Sequence, residues 1–209
     1  MAVENRKDNY SLSRDRAQEL FLRYDQEAIV HRWNLQCDSR YLYVTFFGQP
    51  YRICRKTGTV TNSTGTQAGF NAVLTIFDLL SHPGQKQLAG RYAPVNSLNG
   101  RPVAAGVETK FFTESAKYVH NHPDAFHRAC RDLGGEAVAM GDIGYRFPVF
   151  GELTLIVKFY FGDEDFPPSL LCLWDQNTLQ YLLYETVFYA EGFLLNAITS
   201  RMRNEEAKL

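Results

Sequence analysis

Long apolar runs are missing from this sequence. The 209 residues contain no uninterrupted stretch of about 18 apolar residues, which is roughly what a membrane-spanning helix requires. The first 20 residues also lack the apolar segment of a secretory signal peptide. We therefore expect a cytoplasmic protein that has no membrane partner.

Paired cysteines are missing as well. The four cysteines, Cys37, Cys54, Cys130 and Cys172, lie far apart and form no CxxC motif. In a reducing compartment such thiols are expected to be single and buried. An iron-sulfur cluster needs four converging thiolates, and this spacing does not supply them. We expect the chain to fold without a disulfide or a structural metal.

An excess of charge of one sign is absent too. The chain has 22 basic and 23 acidic residues, so its formal net charge is −1. A protein that binds phosphate backbones or anionic lipid usually presents a positive field. This composition therefore argues against nucleic acid and membrane surfaces as partners.

Familiar catalytic motifs do not occur. The sequence contains no GxSxG nucleophile elbow, no GxxxxGK[ST] phosphate loop and no GxGxxG after a strand. The cofactor is unknown, and an enzymatic role is less expected than a binding role.

Apolar residues, in contrast, are abundant. They make up 45% of the chain and aromatic residues 14%, which is enough to form a core in a chain of this length. We expect one compact domain over residues 1–209, with disorder confined to residues 1–10 and 203–209.

Hydrophobic spacing of three and four residues predicts helices. The predicted helices are Ser13–Trp33, Phe70–Leu80, Phe112–Leu133 with an interruption at Pro123, Asn177–Tyr184 and Glu185–Met202. Gly134 and Gly135 mark a clear helix end.

Segments rich in β-branched and aromatic residues, separated by Gly and Pro, predict strands. These are Tyr41–Phe47, Tyr51–Arg55, Tyr145–Phe150, Leu153–Phe161 and Leu170–Trp174. Strand pairs alternate with groups of helices, and no βαβ rhythm is sustained. The pattern therefore favours an α+β fold, in which antiparallel hairpins pack with several helices.

A series of short motifs is distinctive in its order and spacing. The motifs are Leu88–Pro94, Leu133–Gly135, Gly141-Asp142, Phe147-Pro148, Gly162–Pro168 and Trp174-Asp175. Together they resemble a bacterial and archaeal domain family of unknown function. The chain departs from that family at Asn96-Ser97-Leu98, where an Arg-Glu-Leu-like run is common.

Some members of that family carry an appended iron-sulfur domain related to that of corrinoid iron-sulfur proteins. We expect this chain to lack that domain, because it has no cysteine cluster. The resemblance implies a setting in anaerobic corrinoid or one-carbon metabolism, but no particular activity.

The segment Gly162–Pro168 holds three acids, Asp163, Glu164 and Asp165, followed by Phe166. Converging carboxylates would serve as a hard-metal or general-acid site, to which Asp142 or Asp175 would add a further oxygen ligand. A solvated turn is the alternative interpretation. We expect Phe166 to be a buried anchor and Asp163 to be exposed.

Three histidines lie close together in the sequence. His120, His122 and His127, with Cys130, are weak candidates for a soft-metal site, because their spacing matches no zinc signature. Histidines near helix ends are the more common explanation.

Three functional hypotheses remain open. The first is a non-catalytic domain that binds a small molecule or a partner protein, with aromatic residues of the last helices lining a pocket or filling the core. The second is a metal-dependent hydrolase or transferase that uses the acidic segment. The third is a structural subunit that docks through its C-terminal helices. The candidate ligand-binding residues are Asp142, Asp163, Glu164, Asp165, Phe166 and Asp175.

Overall fold

A computed structural model describes residues 9–82, 87–100 and 110–206 of the chain. Six α-helices and nine strands lie in these residues. The helices are α1 (Asn9–Phe21), α2 (Gln26–Trp33), α3 (Phe70–Ser81), α4 (Lys110–Asn121), α5 (Pro123–Asp132) and α6 (Tyr184–Glu206).

The helix expected over Ser13–Trp33 is wrong as a single element, because two helices occupy this region. The break has a local cause. The carboxylate of Asp25 accepts a hydrogen bond of 3.0 Å from the backbone N–H of Ala28, which makes Asp25 the N-cap of α2. An N-cap residue has extended backbone geometry, so α1 cannot continue through it.

The interruption expected at Pro123 is confirmed. Pro123 opens α5, where its missing N–H costs no helical hydrogen bond. The helix ends before Gly134, whose φ of +79° is a conformation that glycine adopts without strain.

The first sheet is antiparallel and has the order β1-β2-β3-β4. Its strands are β1 (Gln36–Cys37), β2 (Tyr41–Phe46), β3 (Gln49–Cys54) and β4 (Val60–Asn62). Phe46 pairs with Gln49, so β2 and β3 form the expected hairpin. The two residues between them, Phe47 and Gly48, both have positive φ, which is the geometry of a tight hairpin turn.

The second sheet is also antiparallel and has the order β5-β9-β8-β7-β6. Its strands are β5 (Tyr92–Ala93), β6 (Glu136–Ala137), β7 (Ile143–Phe150), β8 (Leu153–Tyr160) and β9 (Ser169–Asp175). The three long strands confirm the antiparallel sheet expected in the C-terminal third. The α+β fold class is therefore confirmed.

Helix α6 packs against α3 and α5. Val187, Leu194, Leu195, Ile198 and Met202 of α6 are all buried. The two sheets meet where the backbone N–H of Phe47 donates a 3.0 Å hydrogen bond to the carbonyl of Val149. Buried residues from both sheets and from the helices form one core cluster.

The ends of the chain are partly described. Asn9 and Tyr10 belong to α1, and residues 203–206 form the last turn of α6. Of the residues expected to be disordered, 1–10 and 203–209, residues 1–8 and 207–209 lie outside the described residues. Within residues 9–82, 87–100 and 110–206, no helix has the length and apolar character needed to cross a membrane.

Candidate functional site

The acidic loop, Phe161–Pro168, connects β8 to β9. Oδ1 of Asp163 accepts hydrogen bonds from the backbone N–H groups of Asp165 (2.9 Å) and Phe166 (2.8 Å). The N–H of Asp163 donates to the carbonyl of Phe166 at 2.9 Å. Asp163 is exposed, as expected, and its carboxylate closes the turn of its own loop.

The expectation that Phe166 is a buried anchor is wrong. Its side chain is 71% exposed. The hydrogen bonds of Asp163 fix the loop, and Pro168 packs closely on Gly162, where an added Cβ would lie 2.6 Å from the Pro168 Cδ. The loop therefore needs no apolar plug to hold its shape.

Asp142 and Asp175 do not join the three acids of the loop in a common metal-binding group. Oδ2 of Asp142 accepts a 2.8 Å hydrogen bond from the backbone N–H of Phe161. Asp175 lies at the end of β9 and is 2% exposed. Its carboxylate accepts hydrogen bonds from the N–H groups of Ala89 (2.9 Å), Gly90 (2.7 Å) and Asn177 (2.8 Å). These hydrogen bonds hold the segment before β5 against the end of β9.

The three histidines have separate partners. Nδ1 of His120 accepts a 3.3 Å hydrogen bond from the N–H of Gly162. Nδ1 of His127 forms a 2.8 Å hydrogen bond with the hydroxyl of Tyr145. The ring of His122 lies 4.7 Å from that of Tyr118. In the part of the chain that the structure describes, no three His, Cys, Asp or Glu residues form a group that could hold a metal ion.

The expectation of buried thiols holds for two cysteines only. Cys130 and Cys172 are buried, whereas Cys37 is exposed and Cys54 is partly exposed. Burial raises the pKa of Cys130 well above its ordinary value. A hydrogen bond with Thr57 lowers the pKa of Cys54. Cys54, and not Cys130, is therefore the thiol with the more accessible thiolate form.

A cavity of about 480 Å³ lies between α4, the first half of β9 and α6. This volume falls in the range of small-molecule sites. The wall is predominantly apolar, and the Pro-Pro pair that ends the acidic loop forms part of it. The lining residues are Pro94, Val95, Asn96, Phe112, Thr113, Ala116, Lys117, Pro167, Pro168, Ser169, Leu170, Leu171, Cys172, Phe188 and Glu191.

A carboxylate contributes to this apolar wall. Glu191 is on α6, three residues after Phe188, so both side chains lie on the same face of the helix. Glu191 is only 4% exposed. Its Oε1 accepts a 2.9 Å hydrogen bond from the indole N–H of Trp174, which is fully buried on β9. The two elements that form the cavity are thus joined by a buried polar contact.

The environment of Glu191 changes its protonation. Burial raises the pKa of its carboxyl group to about 7, because removal from water disfavours the charged form, and the hydrogen bond from Trp174 opposes this effect. Burial also raises the pKa of the neighbouring Cys172 thiol, and the negative charge of Glu191 adds to that rise. Glu191 can therefore gain or lose a proton near neutral pH, while Cys172 stays protonated.

A depression of about 370 Å³ lies on the acidic loop and is lined by His120 and residues 162–168. Its acids are exposed, so water screens them and they make weak polar contacts. Glu191 is enclosed by apolar groups, where a hydrogen bond or an ion pair is stronger. The cavity beside Glu191 is therefore the better candidate for a site.

Glu191 was not among the residues predicted from the sequence. The signal was present, since Glu191 interrupts an apolar stripe of α6 that continues through Val187, Leu194, Leu195 and Ile198. A single acid at a core position of an amphipathic helix is costly unless it has a partner or a role. The sequence could identify this anomaly but not its partner, Trp174.

The comparisons with known proteins identify a family and no activity. The family model of a domain of unknown function, DUF3786, matches residues 25–197, a range that includes all described strands, the acidic loop and Glu191. No curated protein and no solved structure matches the chain. The expected resemblance to a domain family of unknown function is therefore confirmed, and the chain belongs to the DUF3786 family.

Proposed function

We propose that this domain binds a small organic molecule in the cavity between α4, β9 and α6. One observation carries the proposal: an apolar cavity of about 480 Å³ that contains a single deeply buried carboxyl group. Apolar walls supply binding energy, and a few fixed polar groups orient the ligand. A binding role, without catalysis, remains the first hypothesis for this chain.

The lining supports this role because its polar groups are few and separate. Asn96, Thr113 and Lys117 are exposed, whereas Glu191 is the one charged lining residue that is buried. The hydroxyl of Tyr184 donates a 3.1 Å hydrogen bond to Oδ1 of Asn96, which ties α6 to the segment after β5. The cavity wall is thus braced by tertiary hydrogen bonds before any ligand binds.

We place the protein in the cytoplasm of a bacterial-type cell, in the corrinoid or one-carbon metabolism that the family resemblance implies. A cavity of about 480 Å³ suits a small organic molecule, and the proposed ligand is one from such a pathway.

Blocking the cavity tests the proposal. Thr113 and Glu114 are neighbouring exposed residues of α4, but only Thr113 lines the cavity. Thr113→Trp should obstruct the cavity, and Glu114→Trp adds the same ring to the same helix outside it. We would screen a fragment library by ligand-observed NMR against the wild type and both variants.

We expect fragments that bind the wild type and Glu114→Trp, with affinity reduced by about tenfold or more in Thr113→Trp. Equal binding to all three proteins would show that the fragments bind elsewhere. An absence of binding to the wild type at millimolar concentration would contradict the proposal.

A further inference from the structure

The two carboxyl oxygens of Glu191 differ in their hydrogen bonds. Oε1 accepts the hydrogen bond from Trp174, but Oε2 forms no hydrogen bond with any described residue. Glu191 also forms no ion pair within residues 9–82, 87–100 and 110–206. Lys117 also lines the cavity, but its Nζ forms an ion pair with Oε1 of Glu114 at 3.5 Å. Among the described residues, this buried carboxyl group therefore has one neutral donor and no countercharge.

An uncompensated buried carboxylate is unfavourable, and a bound cation relieves that cost. An anionic ligand would face the negative charge of Glu191. A ligand with no polar group would leave Oε2 without a hydrogen bond. A ligand with a positively charged nitrogen would supply both the countercharge and the missing donor.

The rest of the wall suits such a ligand. Phe112 and Phe188 line the same cavity as Glu191, and aromatic faces attract cations. Pro94, Pro168 and Leu170 supply apolar surface for the uncharged part of the molecule.

We propose that the cavity recognises a compact organic cation, namely an apolar body that carries an ammonium or amidinium group and pairs it with Oε2 of Glu191. This inference rests on the proposed small-molecule site and names the class of its ligand. A protonated Glu191 that donates to a neutral acceptor is the competing arrangement, and the two differ in their pH dependence.

The probes are benzyl and 1-naphthylmethyl compounds, each as the amine, the alcohol and the corresponding carboxylic acid. Within each set the ring is constant, so differences in affinity report the charge of the head group. Affinities would be measured by isothermal titration calorimetry at pH 8 and pH 6. The proteins are the wild type, Glu191→Gln and, as a matched control, Glu185→Gln, which alters an exposed acid on the same helix.

At pH 8 we expect the amines to bind the wild type and Glu185→Gln at least about tenfold more tightly than the alcohols, with the acids weakest. Glu191→Gln should lose the preference for the amine while keeping the affinity for the alcohol. The amine affinity of the wild type should fall severalfold at pH 6, because protonation removes the charge of Glu191.

Equal affinity for amine and alcohol, or a preference that survives in Glu191→Gln, would overturn the inference and leave the small-molecule site intact. Alcohols that bind more tightly at pH 6 than at pH 8 would favour the competing arrangement and also overturn it. An absence of binding by every probe would count against the cation inference, and the fragment screen with Thr113→Trp would decide separately whether the site exists.

Discussion

The indole N–H of Trp174 donates a 2.9 Å hydrogen bond to the carboxylate of Glu191, and the two residues stand on different elements, β9 and α6. Both side chains are buried. Burial raises the pKa of the Glu191 carboxyl group, and the hydrogen bond from Trp174 opposes that rise, so both set the pH at which Glu191 ionises. It also provides a spectroscopic reporter, because an indole is fluorescent.

The first prediction concerns stability and pH. Burial raises the pKa of Glu191 from 4.5 to about 7, so the folded state holds more protons than the unfolded state between these values. Stability should therefore fall as pH rises through this window, by about 3 kcal/mol in total. Glu191→Gln is neutral at every pH and should lack this loss.

Urea unfolding at pH 5 and pH 8 measures the effect. The difference in unfolding free energy between Glu191→Gln and the wild type should shift in favour of the variant at pH 8. Glu185→Gln, with its exposed site on α6, should follow the wild type. A constant difference at the two pH values would show that Glu191 does not titrate in this range.

A second prediction uses the fluorescence of Trp174. The chain has two tryptophans, so Trp33→Phe leaves Trp174 as the only source of indole emission. We expect its emission to change with a midpoint near pH 7, because Glu191 ionises at a distance of 2.9 Å. Adding Glu191→Gln should abolish that transition. If the transition persisted in the double variant, another group would be responsible for it.

A third prediction concerns Asp175. Asp175→Ala removes the acceptor of three backbone N–H groups, those of Ala89, Gly90 and Asn177. Hydrogen bonds to a charged group contribute about 1.5–3 kcal/mol each, so for three bonds we expect a loss of roughly 4.5 kcal/mol or more. Asp165→Ala, at an exposed position, should change stability by less than about 0.5 kcal/mol. Similar losses in the two variants would contradict the structural role of Asp175.

A fourth prediction follows from the exposure of Phe166. Phe166→Ala should cost less than about 1 kcal/mol, because the side chain is already 71% exposed to water. Phe126→Ala, which removes a fully buried ring, should cost about 3–5 kcal/mol. Chemical denaturation of both variants provides the comparison, and a large loss in Phe166→Ala would mean that the ring is anchored after all.

The fifth prediction concerns the acidic loop. Asp163→Ala removes the acceptor of two backbone N–H groups and should lower the unfolding free energy by about 1 kcal/mol, like the loss of a helix cap.

A cation titration tests whether the same loop binds a metal ion. Thermal unfolding would be followed while magnesium, calcium and manganese are each titrated. Since Asp163 closes a turn, the wild type and the Asp163→Asn, Asp165→Asn double variant should respond alike. Stabilisation of the wild type alone, growing with the logarithm of cation concentration, would restore the metal-site hypothesis.

Much of the fold follows from local patterns in the sequence. The spacing of apolar residues predicts α3, α4 and α5, and the Gly and Pro breaks predict the hairpins β2–β3 and β7–β8. These signals are reliable because they depend only on residues that are close together in the sequence. They are the periodicity of helices and strands, the residues that favour turns, and proline at the start of a helix. The division between α1 and α2 was missed, since a single capping bond at Asp25 outweighs a continuous apolar pattern.

The candidate site followed from the sequence only in part. Three adjacent acids in the sequence predict a site at the acidic loop, yet all three are exposed and the carboxylate of Asp163 closes a turn. Adjacency in sequence does not make side chains converge. The aromatic residues of the last helix predict the position of the cavity better, since Phe188 lines it.

By itself, the sequence determined the α+β class, the positions of most helices and strands and the resemblance to a domain family, because each depends on short-range pattern. Tertiary structure alone decided that Glu191 and Trp174 meet. The ionisation of Glu191 depends on its burial and on one hydrogen-bond donor 17 positions away, and both arise only when α6 packs beside β9. Neither segment shows a sequence pattern for this contact, because its interaction energy depends on both residues being brought together.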